Sequence, residues 1–280
     1  MHRSELVELI RHRRSYLCVG LDTDLEKIPP FLHQQSEDPV FEFNRRIIDA
    51  TIDLAVAYKP NMAFYESMGS KGWKSLEKTV TYLRSLSKPA FIIADAKRGD
   101  IGNSAGHYAK AFFETMDFDA VTVNPYMGED TIQPFLQYPG KWAVVLAITS
   151  NAGSKDFQVV VQSDPSAHER LYERVMQKCM EWGSLQNLMF VVGATQSGIF
   201  DAIRQKVPDH FFLVPGVGAQ GGSLEDVSRR GLTPDAGLLV NASRSILYCS
   251  QNEDFDLLAH QEAARMQKLM ESLLKEKNII

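Results

Sequence analysis

Eight short apolar runs recur along this chain, and their spacing limits what it can fold into. They are Tyr16–Leu21, Leu54–Tyr58, Ala90–Ala94, Ala120–Val123, Trp142–Ile148, Leu188–Val192, Phe211–Val214 and Gly237–Val240. Such runs fit strands buried on both faces of a parallel sheet. Segments of helical periodicity separate most of them: Phe41–Thr51, Trp73–Leu86, Ala105–Met116, Ala167–Trp182, Ile199–Val207 and Asp254–Leu274. In the third of these, Ala105, Tyr108, Ala109, Phe112, Phe113 and Met116 share one face. Thr131–Gln137 is at best a weak helix. Alternation of strand and helix over eight repeats predicts an α/β fold, the (β/α)8 TIM barrel. An open doubly wound sheet shares the alternation, but its dinucleotide-binding form needs a GxGxxG after the first strand, which this chain lacks. The length of 280 residues suits one barrel, and no linker interrupts it, so residues 1–280 read as a single domain. Met1–Arg14 predicts a short helix closing the barrel bottom, and Glu271–Ile280 a charged tail.

Composition narrows the partners. A net charge of −5 gives no global basic field, which argues against a nucleic-acid binder but leaves room for a small anionic ligand held locally. The three cysteines, Cys18, Cys179 and Cys249, include no CxxC, so neither a disulfide framework nor a zinc site is expected and a reducing compartment fits. Met1–Ser15 lacks the apolar stretch of a signal peptide, and no run of 18 apolar residues occurs. The expectation is a cytoplasmic protein with no membrane partner. The seven histidines are scattered and His107 has no partner at metal-ligand spacing, so no metal is expected.

Barrel sites lie at the C-terminal ends of the strands. Read there, the chain offers Asp22, Lys59, Asp95 with Lys97 and Asp100, Asn124, Thr149 to Asn151, and Asn241 followed by Arg244. Several charges converging on one mouth are hard to read as isolated caps. Asp95 and Lys97 are two apart and point to the same side of an extended strand. Gly99 permits a tight turn that re-aims Asp100. The Gly-rich turn after strand 7, with Gly216, Gly218, Gly221 and Gly222, exposes backbone N–H groups. Ser223–Arg229 can begin a helix there, and Arg244 can grip two phosphate oxygens at once, so this half of the mouth reads as a phosphate site.

Asp-x-Lys-x-x-Asp after strand 3, the early Asp22, Lys59, and Pro-Gly-Val-Gly-Ala-Gln followed by Arg244 together resemble the orotidine 5′-phosphate decarboxylase family. The likeness covers nearly the whole chain. The wording Asp-Ala-Lys-Arg-Gly-Asp-Ile-Gly-Asn, with Val-Asn-Pro-Tyr-Met-Gly and Thr-Ser-Asn, is similar to the longer bacterial branch of that family. The resemblance implies cofactor-free decarboxylation of orotidine 5′-monophosphate to UMP, closing de novo pyrimidine nucleotide synthesis, in a homodimer. It implies that Lys59, Asp95, Lys97 and Asp100 form a Lys-Asp-Lys-Asp charge array. Lys97 would deliver a proton to C6 of the pyrimidine, and Asp95 would sit beside the departing carboxylate. Asp100 would cross the dimer interface to touch the neighbour's ribose, with Ser104 at a neighbouring ribose contact. Asp22 and Lys59 would hold the ribose hydroxyls, and Ser150 the pyrimidine. Gln220 and Arg244 would hold the phosphate, with Gly218 and Gly221 in the loop around it. Gly102-Asn103 stands where shorter relatives carry a Pro-containing stretch, and Thr149–Pro165 forms a long loop whose closure over the substrate is inferred.

The chemistry explains why such residues are needed. A carbanion at C6 has no conventional electron sink in the pyrimidine, so preorganised charge must stabilise it. A lysine beside C6 does this and then supplies the proton. Flanking carboxylates keep that lysine charged and fixed. Asp95 is also placed to repel the substrate carboxylate, the smaller effect in this reading. Three rivals share parts of the pattern. Metal-dependent sugar-phosphate decarboxylases and aldolases of the superfamily usually carry a Glu ligand at the end of strand 2, where this chain has Lys59, with Glu66 further on. A Schiff-base aldolase needs a lysine of lowered pKa, which Asp95 and Asp100 oppose. A silent nucleotide-binding barrel would keep the phosphate loop and lose the array. Asn61–Tyr65 and Trp73 fit either an interface or core, and Tyr126 and Met127 either the pyrimidine or support of strand 4.

Overall fold

Each of the eight apolar runs becomes a strand, and the strands close into one parallel barrel in chain order. The structure is a computed structural model that describes residues 1–161, 169–217 and 221–280. The strands are β1 Leu17–Leu21, β2 Ala57–Pro60, β3 Phe91–Arg98, β4 Ala120–Val123, β5 Trp142–Ile148, β6 Leu188–Val192, β7 Phe211–Pro215 and β8 Leu238–Ala242. Leu17 lies opposite Val240, so β8 returns to β1 and the described strands leave no open edge. Every residue of β1, β2, β4, β6 and β8 is buried, as unbroken apolar runs require when helices cover the outside.

The barrel floor is tied shut. Trp142 packs edge-on against Phe91 and Phe211. The expected first helix forms at Arg3–Arg13 and buries Leu6 and Ile10. From it, Arg3 donates to the Asp209 carbonyl at 2.8 Å, and Arg13 donates to the carbonyls of Ala55 and Pro89. These ties fix the N-terminal ends of the strands and leave the opposite end to its loops. Outside, helix Pro39–Thr51 begins where Asp38 accepts from the Phe41 N–H at 3.1 Å. Helix Leu224–Gly231 begins where Ser223 accepts from the Asp226 N–H at the same distance, 3.1 Å.

Several elements depart from their expected form. Glu271–Ile280 is no loose tail: helix Phe255–Glu276 runs through most of it and buries Leu273 and Leu274, with Ile279 also buried. Its charges pair along the outside, where Glu271 meets Arg14 at 2.9 Å and Lys275 at 2.6 Å. The expected Ala105–Met116 helix spans Gly102–Lys110 and then widens into a π turn at Ala111–Thr115. Adjacent Phe112 and Phe113 are thereby both buried, one against Phe118 and the other against Phe135. The weak helix at Thr131–Gln137 resolves into a 3-10 turn, Glu129–Thr131, and a single turn, Gln133–Leu136. Of the Ala167–Trp182 helix, Leu171–Trp182 is helical, while Ala167 and His168 lie outside the described residues. Met62 and Tyr65 are core. No helix among the described residues is long and apolar enough to cross a membrane.

Candidate active site

Three charged side chains meet at the mouth of β2 and β3. Lys59, expected just past the strand, lies inside β2 as the third of its four residues, with its side chain 4% exposed. A cation there needs partners, because burial in low dielectric penalises the charged form. Asp95 supplies one: it accepts from Lys59 Nζ at 2.9 Å on one oxygen and from Lys97 Nζ at 2.6 Å on the other. Asp22 supplies the second, with Oδ1 3.6 Å from Lys59 Nζ. Burial alone would depress the Lys59 ammonium, but the carboxylates of Asp22 and Asp95 outweigh it and hold the pKa above the ordinary lysine value. For Asp95 burial opposes ionisation, yet Lys59 and Lys97 hold the carboxyl well below the usual carboxylate range. Lys59 is therefore an ammonium and Asp95 a carboxylate across the neutral range.

The alternation expected of an extended strand is not what brings Lys97 to Asp95. The pairing of β3 with β4 shifts between Ala94 and Arg98, and Lys97 sits in the left-handed region at φ 48°. The strand therefore continues past Ala94 through an irregular stretch to Arg98, which pairs with Val123. Inside that stretch Thr122 of β4 accepts from the Lys97 N–H at 2.9 Å and donates to Asp95 Oδ1 at 3.0 Å. The Lys97 side chain is half exposed and faces the mouth.

The loops after β1 and β8 are joined by Tyr248. Its hydroxyl donates to the Asp22 carbonyl at 2.8 Å and accepts from the Asp24 N–H at 2.8 Å. Its ring stacks on Phe43. This clasp holds the carboxylate that faces Lys59, and Asp22 Oδ1 itself makes no hydrogen bond among the described residues.

On the other side of the mouth, Pro215 pairs with Asn241, so the turn after β7 starts level with the segment leading to Arg244. Gly216 and Gly221 have φ of 96° and 86°, values that favour glycine. Gly222 donates its N–H back to the Gly216 carbonyl at 3.2 Å. Arg244 is exposed, opens the short helix Arg244–Leu247, and forms no ion pair among the described residues. Ser150 donates to the Pro215 carbonyl at 3.3 Å, which sets the β5 loop beside the β7 loop.

A buried lysine on a largely buried carboxylate, with a second lysine at a barrel mouth, narrows the family, and comparison with known proteins decides it. The model of the Orotidine 5'-phosphate decarboxylase / HUMPS family matches residues 15–253. The chain belongs to this family. It is 56% identical to the orotidine 5'-phosphate decarboxylase of Porphyromonas gingivalis over 280 residues, covering 100% of both chains. It is 54% identical to that of Phocaeicola vulgatus, covering 98% of this chain and 99% of the relative. Among solved structures it is similar to OMP decarboxylase of Leishmania donovani, at 34% identity and a TM-score of 0.77, over 96% of this chain and 100% of that one.

Set beside the family expectation, the structure brings Lys59, Asp95, Lys97 and Asp22 together and leaves Asp100 apart. Asp100 makes only a local bond, accepting from the Ile101 N–H at 2.8 Å. Ser104 is exposed on helix Gly102–Lys110, away from any partner in its own chain among the described residues. Gly218 and Gln220 lie outside the described residues, as does the end of the 149–165 loop from residue 162. Glu66, at the end of the short helix Met62–Glu66 that follows β2, is held by Arg98. Tyr126 and Met127 are exposed after β4. Thr122 and Tyr248 were not evident from the sequence. For Thr122 the available signal was one polar residue within an otherwise apolar strand, Ala120–Val123.

Proposed function

We propose that this chain converts orotidine 5′-monophosphate to UMP and CO₂, the closing step of de novo pyrimidine nucleotide synthesis. One observation carries the reading: a single largely buried carboxylate, Asp95, takes two ammonium groups, Lys59 at 2.9 Å and Lys97 at 2.6 Å, at the mouth of the barrel. The relatives above carry the name of that activity.

In this reading the bond between C6 and the substrate carboxylate breaks heterolytically. CO₂ leaves, and the electron pair stays on C6. The Lys97 ammonium stabilises that pair and transfers its proton to C6, giving UMP and a neutral amine that regains a proton from water. Because Lys97 is already placed by Asp95, little reorganisation accompanies the charge shift. Asp95 stands beside the departing carboxylate. Asp22 and Lys59 take the ribose hydroxyls, which suits the unfilled acceptor at Asp22 Oδ1. Arg244 and Gln220, with the turn containing Gly218 and Gly221, take the phosphate, and Ser150 the pyrimidine. Binding energy at the phosphate then orients the ring. Asp100 and Ser104 serve the site of a second copy in a homodimer, which suits the lack of a side-chain partner for either one among the described residues. The array supplies charge and proton from side chains alone, with no cofactor. Residues 1–280 act as one cytoplasmic barrel domain.

Lys59 argues against a Schiff-base aldolase, because its neighbours favour the ammonium over the nucleophilic amine. The test is the ultraviolet absorbance of orotidine 5′-monophosphate with purified protein in EDTA. Rapid loss of the substrate band is expected. Turnover only of a sugar phosphate, and only with added Mg²⁺, would overturn the reading in favour of the metal-dependent relatives. Tight UMP binding without any turnover would point to the silent barrel.

A further inference from the structure

The backbone that carries Asp95 and Lys97 is not held by β4 in the usual way. From Ala94 to Arg98 the chain takes four steps, while the paired residues of β4, Val121 and Val123, are two apart. The regular ladder is interrupted over the segment that bears the array. The residue facing this gap is Thr122, which is 1% exposed. Its hydroxyl accepts from the Lys97 N–H at 2.9 Å and donates to Asp95 Oδ1 at 3.0 Å. The same Asp95 oxygen takes the Lys97 ammonium at 2.6 Å. Thr122, Asp95 and both ends of Lys97 thus close one hydrogen-bonded ring.

Lys97 needs such a hold. It lies at φ 48°, a region that non-glycine residues keep only when their surroundings fix them there. We infer that Thr122 is a positioning residue for the proton donor: its hydroxyl locks the Lys97 backbone in the left-handed turn that folds the ammonium back onto Asp95. The inference rests on the reading of Lys97 as the proton donor. The hydroxyl accepts from the Lys97 N–H and donates to the carboxylate at once, which a hydrocarbon side chain of the same size cannot do. Valine has the shape of threonine without that capacity, and serine has the capacity without the methyl.

The experiment compares Thr122→Val and Thr122→Ser with wild type in turnover of orotidine 5′-monophosphate, in calorimetric binding of UMP, and in crystal structures. Thr122→Val should lower kcat about ten- to a hundredfold, at roughly 1.36 kcal/mol per tenfold, with UMP affinity within about threefold of wild type. Thr122→Ser should recover kcat to within about threefold. In the Thr122→Val crystal, Lys97 should leave positive φ and its ammonium should move off Asp95. An unchanged kcat in Thr122→Val overturns the inference. So does a Thr122→Ser as slow as Thr122→Val, since shape would then matter and the hydroxyl would not. Loss of UMP binding in Thr122→Val also overturns it, by showing general damage to the site. The crystal readout does not depend on turnover. An undisturbed Lys97 in Thr122→Val refutes the positioning role even if wild type proves inert towards this substrate, whereas a displaced Lys97 in an inert protein sinks only the assigned reaction.

Discussion

Replacing Asp95 by alanine should destabilise the protein as well as silence it. The Lys59 side chain is 4% exposed, and Asp95 is its closest charge partner at 2.9 Å. Without Asp95 the ammonium keeps only Asp22, at 3.6 Å and beyond hydrogen-bonding distance. Removing one partner of a buried ion pair costs about 3–5 kcal/mol, because the other charge stays buried. Lys97 is half exposed and regains water, so it adds little. For a chain of this size each kcal/mol lowers Tm by roughly 2–4 °C, which gives a fall on the order of 6–20 °C. The pH dependence has a definite sign. Asp95 is held below the usual carboxylate range, so its contribution is complete above about pH 4 and is lost as the pH falls further. Lys59 is held above the usual lysine value, so its contribution is complete below about pH 10 and is lost as the pH rises further. The gap between wild type and Asp95→Ala should therefore be widest across neutral pH and narrow towards both extremes. Urea unfolding followed by circular dichroism, repeated from pH 3 to pH 11, measures it. Equal or greater stability of the variant at pH 7, or a gap that widens on acidification, would refute the argument.

Two further substitutions probe the supports of the barrel and its mouth. Tyr248→Phe keeps the ring on Phe43 but removes the hydroxyl that binds both the Asp22 carbonyl and the Asp24 N–H. It should cost about 1–2 kcal/mol in urea unfolding and raise KM for orotidine 5′-monophosphate several-fold; an unchanged KM would show that the clasp does not hold Asp22. At the barrel floor, burial pushes the imidazole of His210 down to about 4, with Arg3 and Arg204 adding to the effect and Asp209 opposing it. The unfolded chain takes up this proton first, so His210 makes wild type lose stability as the pH falls from about 6.5 to 4. His210→Phe should flatten that part of the stability curve, and an identical slope in both proteins would exclude the assignment.

The barrel was readable because strands buried on both faces need continuous apolar sequence, and little else in a chain of this length does. The charges at the strand ends were readable because several converge on one mouth, where a single one would pass for a cap or a solvated loop residue. What escaped was geometry that depends on contacts distant in the chain. Asp-Ala-Lys-Arg carries no strand signature, so β3 ends on paper at Ala94 and in space at Arg98. Asp95 and Lys97 do meet, but through an irregular backbone at φ 48° that strand periodicity cannot anticipate. Thr122 passes for an ordinary β-branched strand residue until its hydroxyl is seen between Lys97 and Asp95. Tyr248 shows its role only through partners at the other end of the chain, in the loop after β1. The C-terminal segment misled because its charges dominate the composition, while Leu273, Leu274 and Ile279 on its inner side decide where it packs.

The central claim is that Lys97 gives the proton to C6. The most direct measurement sets Lys97→Ala beside wild type, following loss of the orotidine 5′-monophosphate band in EDTA, with UMP binding and Tm recorded for both. The half-exposed Lys97 side chain leaves little packing to lose. Turnover should therefore vanish while Tm stays within a few degrees of wild type and UMP still binds. A Lys97→Ala protein that decarboxylates at the wild-type rate would contradict the account.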